Sequence, residues 1–244
     1  SLHDALPIWS PDGSHLLFTD TDLNLWTLNV ESGETTRVDT DSYAHPQRTM
    51  HPVWSPDGAW IAYAKRLDNQ HHVIMAYSMA SGETVQVTDG MTDAVSPAWG
   101  DGGDYLYFLG STNLGLDTGW LDMSSYGRPT TYGLYAAVLD DDGTSPVLPR
   151  SDDEPDDDAG DTAEDGDSND EDDGPAVTLD PEGLSSRIVS LGIDKRIYSD
   201  LQAGPDGALF VLEQPAMNGA PTLHRYDPDA RDVSAFLTGV QDYT

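Results

Sequence analysis

Residues 51–60 read HPVWSPDGAW, and the phrase at their centre is written three times in this chain. Pro7–Gly13 is PIWSPDG, Pro52–Gly58 is PVWSPDG and Pro97–Gly103 is PAWGDGG. Trp9, Trp54 and Trp99 are therefore spaced by 45 residues twice (54 − 9 and 99 − 54). Two equal intervals mark a repeat architecture, in which one small unit is copied and stacked. In each copy Pro presets the first turn dihedral, and Asp and Gly accept positions that other residues avoid. An apolar run follows: HLLFT at 15–19, WIAYA at 60–64, YLYFL at 105–109. A second run follows that: LNLWTLNV at 23–30, HVIMAYSM at 72–79, YGLYAAVL at 132–139. Further turns then lead into TTRVDT or TVQVTDG.

These runs are short, β-branched or aromatic, and show no helical period. With the strand that carries the tryptophan, each period holds four strands, the content of a propeller blade. A degenerate fourth unit begins at LQAGPDGALFVLE (201–213), where Ala203 takes the tryptophan's place, and TLHRYDPDARDVSAFL (222–237) completes it. The expected fold is all-β: a β-propeller segment of about four four-stranded blades with an incomplete ring. The expected organisation is a non-native leader at 1–6, three blades over 7–148, an acidic insert over 149–177, and a further blade plus the start of the next over 178–244. The chain reads as a piece cut at both ends. Trp9, Asp12, Gly13, Trp54, Asp57, Gly58 and Trp99 are assigned a structural role in the repeat.

The chain carries 44 acidic residues against 11 Lys and Arg, a net charge of −33. Fourteen of those acids lie between Ser151 and Gly174 with no Lys or Arg among them, a composition that cannot bury enough apolar surface to order itself. Without that run the balance is still about −19 (−33 + 14), which excludes polyanions such as nucleic acid or an anionic membrane surface as partners. No stretch has the ~18 apolar residues of a membrane span, and the absence of cysteine excludes disulfides. Asp outnumbers Glu 36 to 8 and only Lys65 and Lys195 are lysines, a surface suited to high salt.

Motifs with catalytic overtones read as structure. LDTGW (116–120) holds a single Asp-Thr-Gly, whereas aspartic-protease chemistry needs two carboxylates sharing a proton. MSSYG (123–127) lacks the first glycine of a nucleophile elbow and has no nearby base. DGDSNDEDD (165–173) starts like a calcium loop but has Asp170 at the turn glycine and Ala176 at the bidentate position. His71 and His72 are adjacent on a strand, so they point to opposite faces and cannot chelate together. No catalytic residue, cofactor or metal site is assigned. The loop at 110–132 is long for a strand connection and keeps apolar residues, so Leu114, Leu116, Trp120, Met123 and Arg128 are candidates for contact with a peptide or another domain.

The WSPDG repeat resembles TolB-like propellers. Narrower phrases are VDTDSYAHPQRTMHPVWSPDGAWIAYAKRL (38–67), QVTDGMTDAVSPAW (86–99), YLYFLGSTNLGLDTGWLDMSSYGRPTTYGLYAAVL (105–139), LSSRIVSL and RIYSDLQAGPDGALFVLE. Together these are similar to the N-terminal propeller of tricorn-type proteases, serine peptidases of the tail-specific protease clan. The resemblance implies a non-catalytic propeller that guides or gates peptides toward an active site outside this chain. It also implies PDZ-like and protease domains downstream, a peptide or unfolded polypeptide as substrate of the parent, and assembly as a homo-oligomer. A TolB-like protein-binding module and the cap of a prolyl-oligopeptidase-type hydrolase are the other readings.

The charge balance predicts that screening stabilises the chain: the melting temperature rises from dilute buffer to molar salt. A melting temperature that stays level or falls across that range would refute it.

Overall fold

A blade is a sheet with two apolar faces, so it finds a core only between neighbours. The computed structural model describes residues 7–42, 50–114, 129–148, 175–215, 219–241 and 243. The expected leader at 1–6 and the acidic run at 149–174 lie outside the described residues. Four antiparallel sheets form, each of four strands in chain order. The first holds β1 (Ile8–Trp9), β2 (His15–Thr19), β3 (Asn24–Asn29) and β4 (Thr35–Thr40). The second holds β5 (Val53–Trp54), β6 (Trp60–Arg66), β7 (His72–Ser78) and β8 (Thr84–Gln86). The third holds β9 (Asp93–Trp99), β10 (Tyr105–Ser111), β11 (Gly133–Val138) and β12 (Ile188–Ser190). The fourth holds β13 (Tyr198–Ala203), β14 (Leu209–Glu213), β15 (Thr222–Asp227) and β16 (Asp232–Thr238). The arrangement is an incomplete propeller of four blades. No helix among the described residues is long and apolar enough to cross a membrane.

Side chains alternate across each strand and feed two different cores. Ile61 and Tyr63 of β6 join Leu17, Leu25 and Trp54 between blades 1 and 2. Their neighbours Ala62 and Ala64 turn the other way, joining Trp99, Leu106 and Phe108 between blades 2 and 3. Tyr107 and Leu109 of β10 face Leu201, Leu209 and Tyr226 between blades 3 and 4. Small residues on one wall thus accept large ones from the next, as close packing requires.

The repeated phrase accounts for both the turn and the seam. Ser55 Oγ donates to Asp57 Oδ1 (2.6 Å) and accepts from Trp60 N (2.9 Å), while Gly58 N donates to Ser55 O (2.9 Å). Gly58 has φ +68°, left-handed backbone that favours glycine. Blade 1 repeats this with Ser10, Asp12 and Gly13, and the hydroxyls of Ser10 and Ser14 hold the Asp12 carboxyl down at about 2. The indole then ties each blade to the one before it. Trp54 Nε1 donates to Ile8 O (3.2 Å), and Trp99 Nε1 donates to Val53 O (3.3 Å), the same bond one period later. These bonds join the first strands of successive blades. Among the described residues no sheet packs ahead of blade 1, and Trp9 is 56% exposed.

Two features differ from the sequence expectation. The third blade does not end at 148: its outer strand is β12, paired with β11 through Tyr135–Ser190 and Ala137–Ile188. A three-residue strand standing after an acidic run has too little pattern to be read. The residues before it form a strap across the blade 2–3 core. Val177, Leu179 and Leu184 are buried there, Val177 N donates to Asp57 Oδ2 (2.7 Å), and the Arg187 guanidinium donates to the carbonyls of Val138, Leu139, Asp180 and Glu182. The blade 4 turn is also tighter. Ala203 pairs with Leu209 (209 − 203 = 6), where Trp54 pairs with Ile61 (61 − 54 = 7), and Asp206 joins Gly207 at positive φ.

Trp99→Ala is predicted to lower the unfolding free energy by about 3–5 kcal/mol, whereas Trp9→Ala changes it by about 0.5 kcal/mol or less. Equal losses in denaturant titrations would contradict the seam assignment.

Candidate functional site

First strands start, second strands end and third strands start at one rim, opposite the Pro-Asp-Gly turns. Polar side chains gather on this rim. The base of the 110–132 loop is closed there by Asn113, whose Nδ2 donates to Pro129 O (3.2 Å) and whose Oδ1 accepts from Ser111 Oγ (2.8 Å) and Thr131 N (2.9 Å). Lys195 Nζ donates to Thr112 Oγ1 (3.1 Å) beside it. Leu114 is half-buried next to this closure. Leu116, Trp120, Met123 and Arg128, with the Asp-Thr-Gly and MSSYG motifs, lie outside the described residues.

Beneath the loop base sits a buried carboxylate. Asp93, the first residue of β9, accepts from His72 N (2.7 Å), contacts His72 Nδ1 (2.8 Å), and accepts from Tyr132 OH (3.0 Å). Asp93 is 1% exposed and His72 3%. Burial alone would raise the Asp93 carboxyl, yet the bonds from His72 and Tyr132 outweigh it and hold the group below its ordinary range. His72 belongs to blade 2, Asp93 and Tyr132 to blade 3. Tyr132 also exchanges backbone bonds with Arg196, at the edge of blade 4. There Glu213 Oε2 accepts from Arg196 Nη1 (3.1 Å) and contacts His224 Nε2 (2.6 Å). One polar line thus crosses three blades under the loop.

An imidazole with its Nδ1 on a carboxylate is two thirds of a Ser-His-Asp triad. Among the described residues no Ser or Thr hydroxyl bonds to His72, and the ring is buried from any substrate. The pair ties blade 2 to blade 3. His71 turns to Gly90 O (3.2 Å) on the other face, so the adjacent histidines share no ligand. At the opposite rim, Asp140, Asp141 and Asp180 bring carboxylate oxygens within 4.8 Å of one another. Asp180 Oδ2 already accepts from Asp141 N (3.2 Å) and Asp140 Oδ1 from Asp142 N (2.8 Å), so turn amides account for these carboxylates and no metal is assigned.

Sequence reading missed Asp93, His72 and Tyr132 as a group, and missed Arg187 in the strap. One signal was available: Asp93 is an acid opening the otherwise apolar run DAVSPAW, and a charge entering a strand core needs a partner. That partner, 21 residues away, is set by blade stacking.

Replacing Asp93 by Ala breaks a buried pair and should cost about 3 kcal/mol or more. Because the folded Asp93 is held below the unfolded value of about 3.9, its contribution is complete above that pH and is lost as pH falls through the lowered value. Asp93→Asn should therefore show a shallower loss of stability below about pH 4 than the natural chain. Parallel acid limbs in denaturation would count against this.

Residues 5–244 match the family model of the tricorn protease second beta propeller domain. A stretch of 105 residues is 27% identical to the tricorn protease homolog of Saccharolobus solfataricus, covering 43% of this chain and 10% of that protein. The fold is similar to the crystal structure of the tricorn protease, with a TM-score of 0.67 at 14% identity over 99% of this chain and 23% of that one. It is similar also to TolB from Acinetobacter baumannii, with a TM-score of 0.50 at 15% identity over 95% of this chain and 40% of that one. The chain thus spans 10% of its curated relative. The tricorn-type resemblance read from the sequence holds, but the match is to the second propeller rather than the N-terminal one. With nearly its whole length matched, this chain belongs to the tricorn protease second β-propeller family.

Proposed function

We propose that this chain is the non-catalytic propeller portion of a tricorn-like serine peptidase, guiding or gating peptides toward an active site in another part of the parent. The observation that carries the reading is the anchored loop. The described ends of the 110–132 segment form a base closed by Asn113, and Tyr132 at its end bonds the buried Asp93 that His72 also holds. A rigid base under a long apolar loop is how binding loops are displayed on a scaffold. Leu116, Trp120, Met123 and Arg128 of that loop would supply contacts to peptide or to a neighbouring domain. PDZ-like and protease domains of the parent, and further copies of it, are the partners this reading implies. The fold likeness to TolB favours a second reading, a protein-binding module with no enzyme attached.

In the parent polypeptide, replacing 115–127 by a short Gly-Ser linker, with Asn113 and Pro129 kept, should reduce turnover of long peptides more than of short chromogenic ones. Equal turnover of both would remove the guiding role. The isolated chain should leave an unstructured peptide intact, and specific hydrolysis by it would overturn the reading.

A further inference from the structure

A groove of about 250 Å³ opens beside the loop base, between blades 2 and 3. The Tyr135 ring stacks on Phe108, with centroids 5.7 Å apart and planes 13° from parallel. It lies across Gly110, where a Cβ would come within 2.8 Å of Tyr135 Cε2. Any side chain at 110 would push the ring off the sheet, so glycine keeps this aromatic floor flat. Ile188 of β12 closes one side. The link from blade 2 to blade 3 forms the other, with Asp89 and Thr92 in the wall and Met91 78% exposed at the lip. Asp89 Oδ1 accepts from Met91 N (2.9 Å), which fixes the turn that presents Met91.

We propose that this groove docks one bulky apolar side chain of an extended peptide whose flanking residues are Lys or Arg. The proposal rests on the reading of the chain as a peptide-handling propeller and names the class of peptide. Size argues for a side chain: the volume falls below the ~300–1,000 Å³ of sites that enclose whole small ligands. Shape and surface agree, since a flat aromatic floor and an unbranched thioether adapt to varied apolar groups. Charge selects the flanks. Among the described residues Asp89 is the one charged residue lining the groove, and the chain as a whole carries −33, so a basic segment is attracted and an acidic one repelled.

The test is isothermal titration of the chain with three capped peptides: Lys-Arg-Phe-Arg-Lys, the same with Ala for Phe, and Glu-Asp-Phe-Asp-Glu. Methyl NMR of Met91 reports the location. The first peptide should bind about tenfold more tightly than the second, shift the Met91 methyl, and outbind the acidic peptide. Met91→Ser and Asp89→Asn are exposed changes that leave the fold intact by circular dichroism. The first should weaken the Phe peptide and spare the Ala peptide; the second should weaken both basic peptides. Equal affinity of the Phe and Ala peptides would reduce the effect to bulk charge and overturn the proposal. So would an unmoved Met91 methyl, or self-association of the chain abolished by Met91→Ser, which would assign the groove to a second copy. Loss of long-peptide turnover on loop replacement, with no binding here, would remove the groove and keep the guiding role; the converse would do the reverse.

Discussion

The structure depends on the fact that no blade owns a core. The second and third sheets each bury one face against the blade before and the other against the blade after, so three shared cores hold four blades. Apolar burial is non-directional and would let sheets slide over one another. The indole bond supplies the missing direction, because Trp54 and Trp99 each reach the carbonyl just ahead of the previous repeat's aromatic. A bond from donor to carbonyl fixes register where packing alone fixes only separation. At Ala203 that donor is gone, and the third seam relies on the backbone exchange of Tyr132 with Arg196.

Two ion pairs of this protein, Lys65 with Asp39 and His72 with Asp93, lie at seams. An acidic chain could have spent its few cations on the surface, where exposed pairs contribute little. Instead Lys65 of blade 2 reaches Asp39 of blade 1 (2.6 Å), and the same carboxylate accepts from the buried Tyr63 hydroxyl (2.7 Å). Arg196 holds Glu213, and Arg187 spends its guanidinium on carbonyls. Partnering carboxylates and carbonyls between elements leaves the outer surface free to remain strongly negative.

What was legible in the sequence follows from this division. The turns and tryptophans of the first three blades recur every 45 residues, and that period could be read directly. β12 could not, because three residues paired across an insertion carry no period. The Asp93 group could not either: His72 and Tyr132 are 21 and 39 residues from it, and only the stacking of two blades brings them together. The strap over blades 2 and 3 could not be read either, since its anchors, Asp57 and the carbonyls near Val138, belong to other units. The candidate loop showed its length and apolar content, while the closure at Asn113 is a property of the fold.

The clamps on either side of the acidic run bear on how such a protein changes over generations. Leu148 O is held by Arg231 Nη2 (2.6 Å), and the chain returns at Val177, fixed to Asp57. Whatever length joins two fixed points, doubling it costs only about 0.6 kcal/mol of closure entropy. Residues 149–174 can therefore lengthen, shorten or change charge while the blades on both sides keep their register, so this is where the lineage can experiment.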